Sequence, residues 1–123
     1  MLKKYNSNLT GYSRGVGSVK RREKSRFNVA VPGSLSTKMV DQARQLIDRM
    51  KEFQGVDFIN DWKMVTLFVG GNDLCDWVKL HKRIQPKKYK ANIKEALDLL
   101  KKTTGQNPPS QSHAPPSPNS MLK

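Results

Sequence analysis

A chain of 123 residues, 36% hydrophobic and 27% charged, has room for one domain at most and holds no apolar run near the roughly 18 residues that a membrane span needs. Its formal net charge of +13 raises nucleic-acid binding, but the charge sits in the flanks: residues 1–26 carry +7, 79–102 carry +7 and 27–78 carry −2. Basic runs such as Lys20-Arg21-Arg22-Glu23-Lys24 have no interleaved aromatics and no accompanying reading helix, so they read as solvated surface and nucleic acid is not an expected partner.

The single cysteine, Cys75, excludes an internal disulfide, and with His81 and His113 it gives no zinc-ligand spacing, so neither a metal nor another cofactor is expected. Met1-Leu2-Lys3-Lys4-Tyr5-Asn6 carries basic charge without an apolar stretch behind it, and no secretory signal is expected there. Residues 1–26, rich in Gly, Ser, Asn and Lys/Arg and without hydrophobic period, read as a basic loop-rich segment.

The pattern begins at Phe27-Asn28-Val29-Ala30-Val31, a β-branched run stopped by Pro32-Gly33, as expected of a short buried strand ending in a tight turn. From Thr37 the apolar residues Met39, Val40, Ala43, Leu46, Ile47, Met50 and Phe53 recur at helical spacing. Asp41, Arg44, Gln45, Asp48, Arg49 and Glu52 fill the other face, Ser36 or Thr37 can cap the start, and Gly55 follows the end. Met64-Val65-Thr66-Leu67-Phe68-Val69 is almost continuously apolar, as in a parallel strand buried on both faces, and stops at Gly70-Gly71. After a polar stretch, Pro86 opens a second helix with Tyr89, Ile93, Ala96, Leu97 and Leu100 on one face and lysines on the other. Strand, helix, strand, helix implies parallel pairing through a crossover, hence an α/β layered domain over 27–102. The proline-bearing stretch 103–123 is expected to be disordered.

Gly70-Gly71-Asn72-Asp73 carries the most chemistry, because open α/β sheets place ligands beyond the C-terminal ends of their strands. Asn72 offers an amide that can donate to a developing oxyanion, the glycines allow close approach, and Asp73 can hold the turn by accepting nearby N–H groups. Spacing alone leaves a plain turn open as well. Gly11-Tyr12-Ser13-Arg14-Gly15 fits a nucleophile-elbow pattern, but poor strand and helix sequences flank it, and it reads as loop. Ser34 and Ser36 read as turn and cap residues, His81 as an exposed loop residue, Trp62 as packing at the strand entrance, and Cys75 as a small packed thiol. Trp77, beside the candidate site, is open between packing and recognition, and Asn8-Leu9-Thr10 is a glycosylation sequon.

The run Trp62-Lys63-Met64-Val65-Thr66-Leu67-Phe68-Val69-Gly70-Gly71-Asn72-Asp73-Leu74-Cys75-Asp76 resembles the third block of the SGNH (GDSL-type) hydrolases in their phospholipase B-like form, where a strand leads into Gly-x-Asn-Asp. Asn28-Val29-Ala30-Val31-Pro32-Gly33 resembles the second block, and similarity extends from about Asn8 to Leu100. The resemblance implies a flavodoxin-like three-layer sandwich, present here in part. It also implies hydrolysis of fatty-acyl esters of phospholipids through a serine acyl-enzyme, with the Gly33 N–H and the Asn72 amide as oxyanion donors.

The family's Gly-Asp-Ser block and its Asp-x-x-His pair have no counterpart in these 123 residues. The expectation is therefore a fragment or truncated form, inactive by itself. A second expectation is a catalytically dead module that binds an anionic membrane surface or a protein through its basic flanks. Relatives of this kind imply a secreted or membrane-associated extracellular setting.

Overall fold

The computed structural model describes residues 2–80 and 85–104. Four α-helices occur among them: α1 (Arg22–Ser25), α2 (Met39–Glu52), α3 (Gly71–Leu80) and α4 (Pro86–Thr104). Short 3-10 turns lie at Leu2–Lys4 and Ser36–Lys38. The core is the seam between α2 and α4. Helix α2 forms where the apolar spacing predicts it, with Met39, Ala43, Leu46, Ile47 and Met50 buried. Its partner α4 opens on Pro86, whose missing N–H costs nothing in a first helical turn.

Ala96 is 2% exposed at the point where α4 meets Met39 and Ala43, and its small side chain lets the two helices approach closely there. Leu99 and Leu100 pack against this cluster and also against a second one formed by Val29, Leu46, Ile47 and Met50, joining the two halves of the core. Leu97, expected on the packed face, is instead exposed, because the stripe that meets α2 runs through Ile93, Ala96, Leu99 and Leu100. At the end of α4 the Thr103 and Thr104 hydroxyls donate to the carbonyls of Leu99 and Leu100, both at 2.8 Å.

The expected strands are absent among the described residues. In the 27–31 segment the backbone donors have found local or loop acceptors: Phe27 N donates to Gly11 O at 3.0 Å, Asn28 N to Ser25 O at 2.8 Å and Ala30 N to Asn28 Oδ1 at 3.0 Å. A chain whose N–H groups are spent this way cannot build a ladder. The 64–69 segment runs without helix or ladder, and most of it faces solvent: Met64, Val65, Leu67 and Phe68 are exposed, Phe68 fully so at 100%, and only at its end does Val69 pack against the core. A run patterned for burial on both faces becomes a strand only when neighbouring strands and covering helices are present. The 103–123 segment expected to be disordered lies, after Thr104, outside the described residues.

The basic N-terminal segment is tied to the core by a residue assigned to the polar face of α2. Arg49 is buried, and its guanidinium donates to Val19 O at 2.5 Å, Arg26 O at 2.7 Å, Asn28 O at 3.1 Å and Ser25 Oγ at 3.0 Å. Burial, seconded by Arg22, pushes its pKa down from the ordinary arginine value, while Glu52 pulls it back up. Phe27 packs edge-on against Phe53 with ring centroids 5.3 Å apart, and Arg22 pairs with Glu52 at 2.5 Å, so the loop is held at three points. The planar fork of arginine reaches all four acceptors, three clustered around Nη1 and one at Nη2, a spread that an ammonium cannot reproduce. Arg49→Lys is therefore expected to destabilise the chain by about 2–3 kcal/mol, read as a lowered midpoint in urea unfolding.

Candidate active site

Two segments far apart in sequence meet at the N-terminal end of α3. The first is the turn at Pro32-Gly33, where Gly33 has φ +77° and Ser34 N donates to Val31 O at 3.2 Å. A positive φ is open to glycine at little cost, and nothing lies within 4 Å of where a Gly33 side chain would begin. The second is Gly70-Gly71-Asn72-Asp73. Gly70, at φ +124°, turns the extended 64–69 segment into the helix, and Leu74 N donates to Gly70 O at 2.9 Å.

Asp73 lies in the first turn of α3, where the exposed helical N–H groups favour negative charge. Only 4% exposed, it receives the backbone N–H of Ser36 through both carboxylate oxygens, at 2.9 and 3.0 Å. One residue earlier, Asn72 Nδ2 donates to Ser34 O at 3.1 Å. Ser36 is fully buried, and its hydroxyl accepts from Asn92 Nδ2 on α4 at 3.0 Å. Gln42 of α2 donates to the Ser34 hydroxyl at 3.0 Å. The three-residue stretch 34–36 is thus bonded to α2, α3 and α4 together. From the far side, the Tyr89 hydroxyl of α4 donates to Val69 O at 3.1 Å, fixing the approach to Gly70.

This arrangement leaves Gly33 and Asn72 exposed at its rim, and an Asn amide carries two N–H bonds, of which one is engaged with Ser34. The site can therefore present hydrogen-bond donors to an oxygen anion. Of the serines at the site, Ser36 is enclosed and Ser34 Oγ accepts from Gln42; Ser13, whose Oγ donates to Ser25 O at 3.3 Å, belongs to a separate loop that has neither the strand nor the helix of a nucleophile elbow. No group of three His, Cys, Asp or Glu side chains is disposed for a metal ion among the described residues.

Comparison with known proteins decides the family. The model of the GDSL-like lipase/acylhydrolase family matches residues 1–120. The chain belongs to this family. Among curated proteins it is 41% identical over 100 residues to "Phospholipase B1, membrane-associated" of Mus musculus and 39% identical over 100 residues to that of Rattus norvegicus. It is 41% identical over 101 residues to the Homo sapiens protein of that name. Each match covers 81% of this chain and 7% of the relative, so the chain spans a small part of the length of these phospholipase B-like relatives. No solved structure matches the chain.

Within this GDSL-like chain, the residues singled out from sequence fall into three groups. Gly33 and Asn72 are brought to one place, each tied to Ser34 by chain or by hydrogen bond. Four residues depart from expectation. Trp62 is 83% exposed instead of packed, Cys75 is an exposed free thiol, and Ser36 makes no side-chain cap but accepts from Asn92. Asp73 bonds not its own turn but a backbone 37 residues away. His81 and His113 lie outside the described residues. The participation of Ser36, Gln42 and Asn92 has no signal in their spacing, since a buried polar contact between separate elements leaves no period in the sequence.

The two glycines that open α3 differ in what they tolerate. A Cβ on Gly70 would stand 3.0 Å from the Tyr89 hydroxyl on a backbone that side chains rarely adopt, whereas one on Gly71 would meet nothing within 4 Å in a helical position. Gly70→Ala is expected to cost about 1–3 kcal/mol, and Gly71→Ala to be neutral or to stabilise by up to about 1 kcal/mol. Paired urea titrations check the contrast.

Proposed function

We propose that this chain supplies the oxyanion-stabilising part of a phospholipase B-like ester hydrolase, with the Gly33 N–H and the second N–H of the Asn72 amide as donors. The observation that carries the reading is the Asn72–Ser34 hydrogen bond at 3.1 Å, which sets the donor from the third block beside the glycine turn of the second. Acyl transfer from an ester passes through a tetrahedral oxyanion, and donors fixed in advance around that oxygen lower its energy without reorganising during the reaction. The substrates proposed are fatty-acyl esters of phospholipids, in line with the names of the relatives. The fold proposed for 27–102 is the family's three-layer α/β sandwich, with Met64–Val69 as a strand when neighbouring strands pair with it.

These 123 residues contain no Gly-Asp-Ser motif and no Asp-x-x-His pair, so the chain alone has donors but no identified serine nucleophile or histidine base. Oxyanion donors without nucleophile and base leave only a residue of catalysis. The chain alone is expected to turn over neither a short-chain ester nor a phospholipid above a buffer control. Asn72-dependent turnover by the chain alone would contradict this.

The donor roles are tested in a chimera in which this chain's matched stretch replaces the corresponding 100 residues of the mouse relative. There Asn72→Ala is expected to lower kcat by roughly 100- to 1000-fold, the usual consequence of losing one oxyanion donor, with KM little changed. A change in kcat of less than about threefold would remove Asn72 from the donor role.

A second reading is docking on an anionic lipid surface. It is favoured by exposed Trp62, Met64 and Phe68 beside Lys63, and by a shallow groove of about 360 Å³ on α4 whose apolar floor of Tyr89, Ile93 and Leu97 is bordered by Lys90 and by the Lys94–Asp98 ion pair. Exposed aromatics and lysines together suit the membrane interface. Among the described residues no helix is long and apolar enough to cross a membrane. On this reading the chain binds phosphatidylserine-containing vesicles, the binding falls steeply between about 0.05 and 0.5 M salt, and it survives Asn72→Ala. Binding that is insensitive to salt, or absent, would leave the lipid-surface reading without support.

A further inference from the structure

We infer that Asp73 and Asn92 are positioning residues that grip Ser36 from two helices and thereby set where the Gly33 turn stands relative to Asn72. The inference rests on the reading of Gly33 and Asn72 as the oxyanion donors, and adds what holds those donors in register.

Ser36 is 0% exposed. Its backbone N–H lies between the two oxygens of Asp73, at 2.9 and 3.0 Å, and its side-chain oxygen accepts from Asn92 Nδ2 at 3.0 Å. One side of the grip belongs to the first turn of α3, the other to α4, and the gripped residue opens the 3-10 turn that leads into α2.

Asp73 is adjacent in sequence to Asn72, and Ser36 is three residues from Gly33. Neither partner can therefore move far without moving a donor. The carboxylate is confined as well, because it is buried in the first helical turn and both its oxygens point at one amide. A charged acceptor in such a setting makes a stronger bond than a neutral one. Asn72 itself makes a single bond to Ser34, at the exposed edge, where water competes with it. The buried grip on Ser36 is the stronger constraint, and the Asn72–Ser34 contact is held in place by it. Asp73 and Asn92 touch no reacting atom in this scheme. They act through Ser36.

The test is solution NMR on the 123-residue chain, comparing the wild type with Asp73→Asn, Asp73→Ala and Asn92→Ala, and helical content is checked by circular dichroism. Three signals are read: hydrogen exchange at the Ser36 amide, the backbone amide resonance of Gly33 and the side-chain NH2 resonances of Asn72. Asp73→Ala is expected to speed Ser36 exchange about tenfold or more and to shift both the Gly33 and the Asn72 resonances. Asp73→Asn, which keeps one acceptor oxygen, gives an intermediate exchange rate and smaller shifts in the same direction. Asn92→Ala shifts the same resonances from the α4 side.

Faster Ser36 exchange with unmoved Gly33 and Asn72 resonances would overturn the inference, because Asp73 would then be a stabilising contact only. Unmoved signals throughout would overturn it too. If Asp73→Ala loses its helical signal, Asp73→Asn decides by the same criterion. These resonances report the grip whether or not any ester is turned over. Failure of the donor reading, seen as an Asn72→Ala chimera with unchanged kcat, is therefore distinguishable from failure of the positioning role.

Discussion

The buried carboxylate of Asp73 holds both of its oxygens against one backbone N–H, that of Ser36, 37 residues earlier in the chain. A carboxyl group removed from water needs hydrogen-bond partners, and here both oxygens take theirs from a backbone donor of another element. The pairing brings the segment before α2 onto the N-terminal end of α3. Around it the Asn92, Gln42 and Asn72 amides bond the same short stretch, 34–36, so the helices of the core and the candidate site share one polar knot. The apolar seam between α2 and α4 provides stability, and the knot fixes which surfaces lie beside each other at its edge.

Helix α2 and helix α4 were legible in the sequence because a 3.6-residue apolar period is a local property, visible without knowledge of any partner. Arg49 shows where that reading stops. It falls on the face of α2 assigned to solvent, but the segment 19–28 folds over that face and its carbonyls draw the guanidinium in. Helix α3 was hidden because Gly70-Gly71-Asn72-Asp73 has the composition of a turn, and only the step from φ +124° at Gly70 into helical geometry makes it a helix start.

The two apolar runs at 27–31 and 64–69 mark the opposite difficulty. Their composition suits buried strands, yet a strand exists only as half of a ladder, and sequence composition says nothing about whether the other half is at hand. Within the described residues the first run bonds to neighbouring residues and to the loop at Gly11, and the second lies extended with Phe68 in solvent. The family resemblance implies an α/β fold, and in the fold proposed above these runs are the ones that a sheet takes up. Gly33 and Asn72 could be named from motif resemblance, whereas Ser36, Asp73 and Asn92 could be connected only in three dimensions.

The central claim is that the glycine turn and the start of α3 form one site, and the most direct measurement is a nuclear Overhauser spectrum of the chain labelled at Ser34, Ser36, Asn72 and Asp73. The account predicts cross-peaks from the Asn72 side-chain amide to residues 34 and 35, and from the Ser36 amide proton to the Asp73 side chain. Their absence in a chain whose α2–α4 contacts are intact would show that the helical core forms without joining the two segments, and would contradict the site described above.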